Sequence, residues 1–187
     1  AVISAGTEIK SVPVDGIQCA FKTTTTIEAS PLTLGRCSLD QGSNGHHRLI
    51  IELSTQTSLP PRLRLFLGDD LGVAAEHLML LANHTKSVRL TDGAKQSVAI
   101  DQKITFPGLS EELIPYPDNA FPGYRLLQEL LYFPQKFLFV EFSGLSQAAG
   151  ALSGGRYQIE VDLGKLTGQV PVLSENSFQL NVTPAIN

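Results

Sequence analysis

The stretch from Phe121 to Phe142 reads FPGYRLLQELLYFPQKFLFVEF and combines a helix start, a proline stop and an apolar strand. Pro134 ends the predicted helix, because a proline disfavours helical geometry at the residue before it. From Lys136 to Phe142 the sequence is apolar on both faces, which predicts a central strand covered on two sides. The helical part is indicated by apolar residues that recur every three or four positions, at Tyr124, Leu127, Leu130 and Leu131.

Local chemistry supports this reading of the stretch. Gly123 can supply the turn that precedes the helix. Arg125 and Glu129 are four residues apart, so we expect them to pair across one helical turn. We expect the aromatic side chains of the stretch to form most of the domain core.

Outside this stretch the dominant hydrophobic period is two, which is typical of strands with one face on a core. Further strands are therefore predicted around residues 49–53, 63–67, 98–100, 157–163 and 178–182. A first helix is predicted over 71–82, after Asp69 and Asp70, whose carboxylates can cap its start.

These patterns predict a mainly β fold, either a β-sandwich or two linked antiparallel β lobes, with about two short helices packed on the sheets. The chain from 1 to 187 is treated as one β-rich domain. The segment 110–119, which contains Pro115 and Pro117, is the best candidate for a boundary between two lobes.

Composition excludes several functional classes. The net charge of -4 does not favour general electrostatic binding of nucleic acid. No apolar run approaches the roughly 20 residues that a membrane helix needs. Charged residues make up only 17% of the chain, which fits a protein whose surface is largely covered by partners. Cys19 and Cys37 are interpreted as two buried thiols, although one disulfide in a secreted domain stays open.

No catalytic or metal-binding constellation can be assembled from the sequence, so we expect no enzyme and no cofactor. His46 and His47 are interpreted as exposed loop residues. His77 and His84 lie two helical turns apart, roughly 10 Å, and are interpreted as part of a solvated helix face. The pair Glu111 and Glu112 is interpreted as a solvated turn, and residues 150–156 as a loop tip without phosphate-loop spacing.

The stretch 121–142 closely resembles a segment of the TssF family (also called ImpG or VasA), baseplate subunits of the bacterial type VI secretion system. In this family a Gly-Tyr-Arg-Leu-Leu-Gln-Glu run leads to Phe-Pro-x-Lys-Phe-x-Phe. Leu130 and Leu131 depart from the Tyr-Phe that the family usually has there. The matching family residues are Gly123, Tyr124, Arg125, Leu126, Leu127, Glu129, Phe133, Pro134, Lys136, Phe137 and Phe139.

Three other segments share this resemblance. Residues 61–68 are similar to the family's Leu-Arg-Leu-x-Leu strand, and residues 178–187 to its Phe-x-Leu-Asn-x-x-Pro-x-Ile-Asn. Residues 3–7 and 21–23 look like an opening that is also seen in phage baseplate wedge proteins.

The resemblance implies that the chain is an interior part of a longer structural protein. That protein would form wedges with TssG and TssK and contact the spike hub and sheath-side proteins. It would lie in the bacterial cytoplasm on a baseplate docked at the inner-membrane complex. No catalytic residue, nucleic-acid contact or membrane insertion is implied.

Two other interpretations stay open. A wedge subunit of a phage contractile tail would share the mechanics of the type VI baseplate without its role in secretion. A secreted or cell-surface β-sandwich that binds carbohydrate or protein would instead require a disulfide between Cys19 and Cys37.

Overall fold

A computed structural model describes residues 1–102, 104–111, 113, 116–168 and 170–187. The protein is mainly β with short helices, and its strands form several antiparallel sheets, which confirms the predicted fold class. The predicted boundary at 110–119 includes Glu112, Ile114 and Pro115, which lie outside the described residues. A division into lobes therefore stays a prediction.

The largest sheet has five antiparallel strands. Its order is β5 (Leu32–Gln41), β6 (His46–Thr55), β11 (Arg156–Lys165), β8 (Ser87–Asp92) and β9 (Ser97–Ile100). Ile159 lies opposite both Ile51 and Leu90, and all three are fully buried. The alternation read from the sequence is therefore the alternation between a core face and an outer face.

A second, two-stranded sheet pairs β7 (Arg62–Phe66) with β10 (Phe139–Ser143). The prediction of a central strand over 136–142 was wrong at its start, because Pro134–Phe137 form a 3₁₀ turn instead. Val140 and Phe142 are buried, yet β10 belongs to this small ribbon rather than to the main sheet.

The N-terminal segment and the end of the chain pair with each other. β1 (Val2–Ile3) pairs with β4 (Ile27–Glu28), and β3 (Ala20–Thr23) lies between β2 (Glu8–Lys10) and β12 (Ala185–Ile186). The strand predicted over 178–182 was wrong. Gln179 makes one bridge to Phe66, and Asn181 then adopts a left-handed φ of 58°, which breaks the extended run.

Within the described residues, three α-helices accompany the sheets. α1 (Leu71–His84) begins where Asp70 Oδ1 accepts hydrogen bonds from the amides of Gly72 and Val73, at 2.9 and 3.2 Å, which confirms Asp70 as the cap. α2 (Pro122–Tyr132) confirms the second predicted helix. α3 (Leu145–Ala149) was not predicted and follows Gly144, whose φ of 80° turns the chain out of β10.

One apolar core joins the main sheet, the β7–β10 ribbon, α1 and α3. Within the described residues, no helix is long and apolar enough to span a bilayer.

Candidate protein–protein interface

The TssF-like residues occupy three consecutive elements. Gly123, Tyr124, Arg125, Leu126, Leu127 and Glu129 lie on α2, Pro134, Lys136 and Phe137 form the 3₁₀ turn, and Phe139 begins β10. Phe133 joins the helix to the turn, and its amide donates to the carbonyl of Glu129 at 2.8 Å. The predicted proline stop is confirmed, since α2 ends two residues before Pro134.

The helix α2 presents its apolar side chains to solvent. Tyr124, Leu127 and Leu131 follow one another at positions i, i+3 and i+7, so they share one helical face. Phe121 extends this face and packs edge-on against Tyr124, with ring centroids 5.7 Å apart. We call these exposed residues the outer face of α2; they are Phe121 (67% exposed), Tyr124 (71%), Leu127 (57%), Leu130 (49%), Leu131 (78%) and Tyr132 (85%).

The inward side of α2 carries a buried charge. Glu129 is the buried residue of this helix, and its carboxylate forms an ion pair with the ammonium of Lys136. The second carboxylate oxygen of Glu129 accepts a hydrogen bond from the Leu113 amide at 3.0 Å. The side chains of Glu129 and Lys136 are 0% and 4% exposed, so the pair is sealed from water.

The expectation that the aromatic residues of 121–142 form the core was wrong for α2. Phe139 and Phe142 are buried, but Phe121, Tyr124 and Tyr132 are among the most exposed side chains of the helix. The physical reason is the Glu129–Lys136 pair, which fixes the polar side of the helix inward and turns the apolar side outward. Glu129 has a buried partner, Lys136, seven residues ahead in the sequence. The pairing of Arg125 with Glu129 stays a prediction.

The turn that carries Lys136 is held by a close backbone approach. Gly108, in the 3₁₀ turn Pro107–Leu109, lies so near the turn Pro134–Phe137 that a Cβ at this position would be 2.3 Å from the Lys136 carbonyl oxygen. A side chain at position 108 would therefore displace the partner of Glu129.

The predicted histidine environments were wrong in part. His46 and His47 lie on β6 rather than in a loop, and they point to opposite faces, so His46 is exposed and His47 is buried. His84 is half-buried at the end of α1. His77 is only 2% exposed and does not belong to a solvated face. No group of three or more potential metal ligands occurs among the described residues.

His77 faces an acidic residue outside its own helix. Its Nδ1 lies 3.7 Å from Oδ2 of Asp69, and the same carboxylate accepts hydrogen bonds from the hydroxyls of Ser174 and Ser177. Burial lowers the pKa of His77 below its usual 6.5, while Asp69 and Glu76 act in the opposite direction. Asp69 therefore ties the C-terminal segment to the start of α1 rather than capping the helix.

A cluster of charged residues lies on the β7–β10 ribbon. Arg64 donates to Glu111 at 2.6 and 3.1 Å and to Glu141 at 3.3 Å. Arg62, 73% exposed, lies 4.0 Å from Glu141. Glu111 is therefore an ion-pair partner and not a solvated turn residue, while Glu112 lies outside the described residues.

Asp92 was missed by the sequence reading. Its carboxylate accepts hydrogen bonds from the amides of Ala94, Gln96 and Ser153, and these hold its pKa below the usual 3.8. The bond from Ser153 ties the loop 150–156 to the main sheet. The only sequence signal for this role of Asp92 was the pair Asp92–Gly93 at a strand end, which is typical of a turn.

Both cysteines are free thiols, Cys19 exposed and Cys37 half-buried. Burial raises the pKa of Cys37 to about 11, helped by the charge of Glu52. The disulfide required by the secreted-sandwich interpretation is absent. The exposure of Cys19 also contradicts the prediction of two buried thiols.

Comparison with known proteins places this arrangement in context. Over 106 residues the chain is 39% identical to the type VI secretion system component TssF1 of Pseudomonas aeruginosa, covering 54% of this chain and 17% of that protein. The whole chain superposes, with a TM-score of 0.87 and 26% identity, on 38% of a chain in the cryo-electron microscopy structure of the type VI secretion system TssK–TssF–TssG baseplate subcomplex. The chain therefore spans well under half the length of both relatives. The sequence profile described as "Type VI secretion system, TssF" matches residues 1–187, and the chain belongs to this family.

Proposed function

We propose that this chain is a structural part of a type VI secretion baseplate and acts through protein–protein contacts rather than through catalysis. Its partners are TssG and TssK, the two proteins named with TssF in the matched subcomplex. The assembly lies in the bacterial cytoplasm, docked at the inner-membrane complex, and contacts the spike hub and sheath-side proteins. Membership of the TssF family supports this proposal.

The observation that carries the proposal is the outer face of α2. Its three aromatic side chains, at 67–85% exposure, leave roughly 300–600 Å² in contact with water, and three leucines add to this. The largest apolar patch on a monomeric protein is typically about 300–600 Å², and a standard interface buries about 800 Å² per partner. The outer face of α2 is therefore large enough to form the apolar centre of a subunit interface.

The fixed orientation of α2 supports the same conclusion. An amphipathic helix at a protein surface normally packs its leucines against the core and exposes its glutamate to water. Here the Glu129–Lys136 pair holds the helix the other way round. Water is thus a poor final environment for Tyr124, Leu127 and Leu131, and a partner subunit is a favourable one.

The experiment that tests the proposal is a pull-down of the full-length gene product with the TssG and TssK proteins of the same bacterium. Leu127→Asp should weaken retention of the partner by about 10–100-fold, because a buried apolar contact at the centre of an interface is lost. The free energy of unfolding should change by less than ~0.5 kcal/mol, since Leu127 is exposed in the isolated chain.

The matched control is Met79→Asp on α1. Met79 is 59% exposed, close to the 57% of Leu127, but it lies on a different helix. The control should bind TssG and TssK like the unchanged protein. Equal binding by the Leu127 variant and the unchanged protein would contradict a role of α2 at the interface.

A further inference from the structure

Among the described residues, β7 is hydrogen-bonded along its whole length on one edge only, the edge that faces β10. On the β10 side, the Leu67 amide donates to Leu138 O at 2.8 Å, and the Gly144 amide donates to Pro61 O at 3.0 Å. In an antiparallel pair, the residues that face the partner strand alternate with those that face away. The backbone groups of Leu63 and Leu65 therefore face β10, and those of Arg62 and Arg64 face the other side.

In the part of the chain that the structure describes, the other edge of β7 is paired at one position. Phe66 exchanges both backbone hydrogen bonds with Gln179, at 2.9 and 2.8 Å. A continued ladder would place residue 181 opposite Arg64, but the left-handed φ of Asn181 turns the chain away. Among the described residues, no backbone group bonds the amide or carbonyl of Arg64 on this side. We call the backbone groups of Arg62 and Arg64 the open edge of β7.

The open edge of β7 lies along a cleft of about 280 Å³. A single bound water needs only about 10–15 Å³ of such space, so the cleft is about twenty times larger than a water site. One wall is β7, and the other is formed by residues 180–182 and by residues 25–28. The divergence of the chain at Asn181 thus leaves room where a neighbouring strand would otherwise lie.

We propose that the open edge of β7 binds an extended segment of another subunit, which adds a short strand to the β7–β10 ribbon. Main-chain hydrogen bonds to Arg64 and Arg62 would hold this segment, as in other cases of strand addition. The proposal rests on the proposed baseplate role and deepens it, because it names a second mode of contact that is distinct from the outer face of α2.

The walls of the cleft define the side chains of the bound segment. A residue opposite Arg62 shares its face of the ribbon, where the guanidinium is 73% exposed and 4.0 Å from Glu141. An acidic residue fits there, because opposite charges favour each other across neighbouring strands. The residues on either side point to the other face, toward Leu32, Leu63 and Leu180. The occupant is therefore an extended segment of the pattern apolar–acidic–apolar.

Hydrogen exchange at single-amide resolution tests this proposal. The full-length gene product is compared alone and after co-purification with TssG and TssK. The amides of Arg62 and Arg64 should exchange about tenfold more slowly in the subcomplex, since each gains an acceptor there. The amides of Leu63 and Leu65 bond to β10 in both samples, so they should not change and serve as the internal reference.

The two proposals are separated by the same experiment. A subcomplex that forms while Arg62 and Arg64 exchange at unchanged rates overturns strand addition but leaves the baseplate role intact. Protection of the same amides in the gene product alone also overturns the proposal, because the edge would then be covered without a partner subunit.

A pair of variants isolates the backbone contact. Arg62→Ala removes the charge and keeps the amide, whereas Arg62→Pro removes both. Proline is tolerated at the first residue of a strand, and β7 begins at Arg62, so both variants should fold with unchanged melting temperature. The proline variant should bind the partners about tenfold more weakly than the alanine variant. Equal affinity of the two variants would refute a main-chain contact at this position.

Discussion

Lys136→Met tests whether the buried ion pair holds α2. The ammonium of Lys136 is 4% exposed and the carboxylate of Glu129 is 0% exposed, so methionine would leave a buried negative charge without its cation. Removing one partner of a buried pair costs about 3–5 kcal/mol. A domain is typically stable by only about 5–15 kcal/mol, so the variant should lose a large part of its stability.

The matched control is the double variant Lys136→Met with Glu129→Gln. The glutamine keeps an oxygen that accepts the Leu113 amide, and no net charge is left in the interior. The side-chain amide nitrogen of the new glutamine has no hydrogen-bond partner in the interior. The double variant should therefore be less stable than the unchanged protein by about 1–3 kcal/mol. It should therefore be more stable than the single variant, although it carries one substitution more.

Urea unfolding followed by circular dichroism measures both variants. The midpoint should fall with little change in the slope, because the same surface is exposed on unfolding. In thermal unfolding the single variant should melt about 6–20 °C lower, since each kcal/mol shifts a domain of this size by about 2–4 °C. The reasoning fails if the single variant loses less than ~1 kcal/mol, or if the double variant is the less stable of the two.

Two further predictions concern titratable groups. Because the pKa of Cys37 is about 11, only about one Cys37 thiol in a thousand is ionised at pH 8. A thiol reagent should therefore modify Cys19 readily in the native Cys37→Ser variant. It should react far more slowly with Cys37 in the native Cys19→Ser variant. Because the pKa of His77 lies below 6.5 in the folded state, the unfolded chain binds more protons below pH 6.5, and stability should fall as pH drops from about 6.5 toward the folded pKa. His77→Gln should remove this pH dependence, and His84→Gln should keep it; the idea fails if both variants retain the same slope.

The parts of the fold that could be predicted from sequence depend on local rules. β11 was predictable because its alternation from Tyr157 to Leu163 records one buried face, and the structure buries all four apolar residues. The start of α1 was predictable because a cap needs only Asp70 and the two amides that follow it within three residues. In both cases the deciding interactions lie within the element or repeat along it.

The same patterns failed where a distant contact decides. The residues 178–182 alternate as clearly as those of β11, yet the left-handed φ of Asn181 stops the ladder after one bridge to Phe66. His77 was assigned to a solvated face because the sequence does not show that Asp69 and the C-terminal segment cover it. Alternation and helical spacing reveal two different faces of an element, but they do not reveal which neighbour covers each face.

The orientation of α2 is the most informative of these failures. Assigning the apolar stripe of α2 to the core side assumes that this chain alone must bury its apolar side chains. That assumption does not hold for a subunit whose final environment includes other chains, because apolar residues at an interface obey the same pattern as core residues. The sequence therefore contained the apolar stripe of α2, but only the structure shows that this stripe faces outward.

The outer face of α2 and the open edge of β7 share one support. Glu111 bonds the guanidinium of Arg64 on β7, and two residues later the amide of Leu113 bonds the carboxylate of Glu129 on α2. Lys136 and Arg64 both line the small pocket beside this segment. Glu111 and Leu113 therefore give the two proposed contact surfaces one common set of polar contacts.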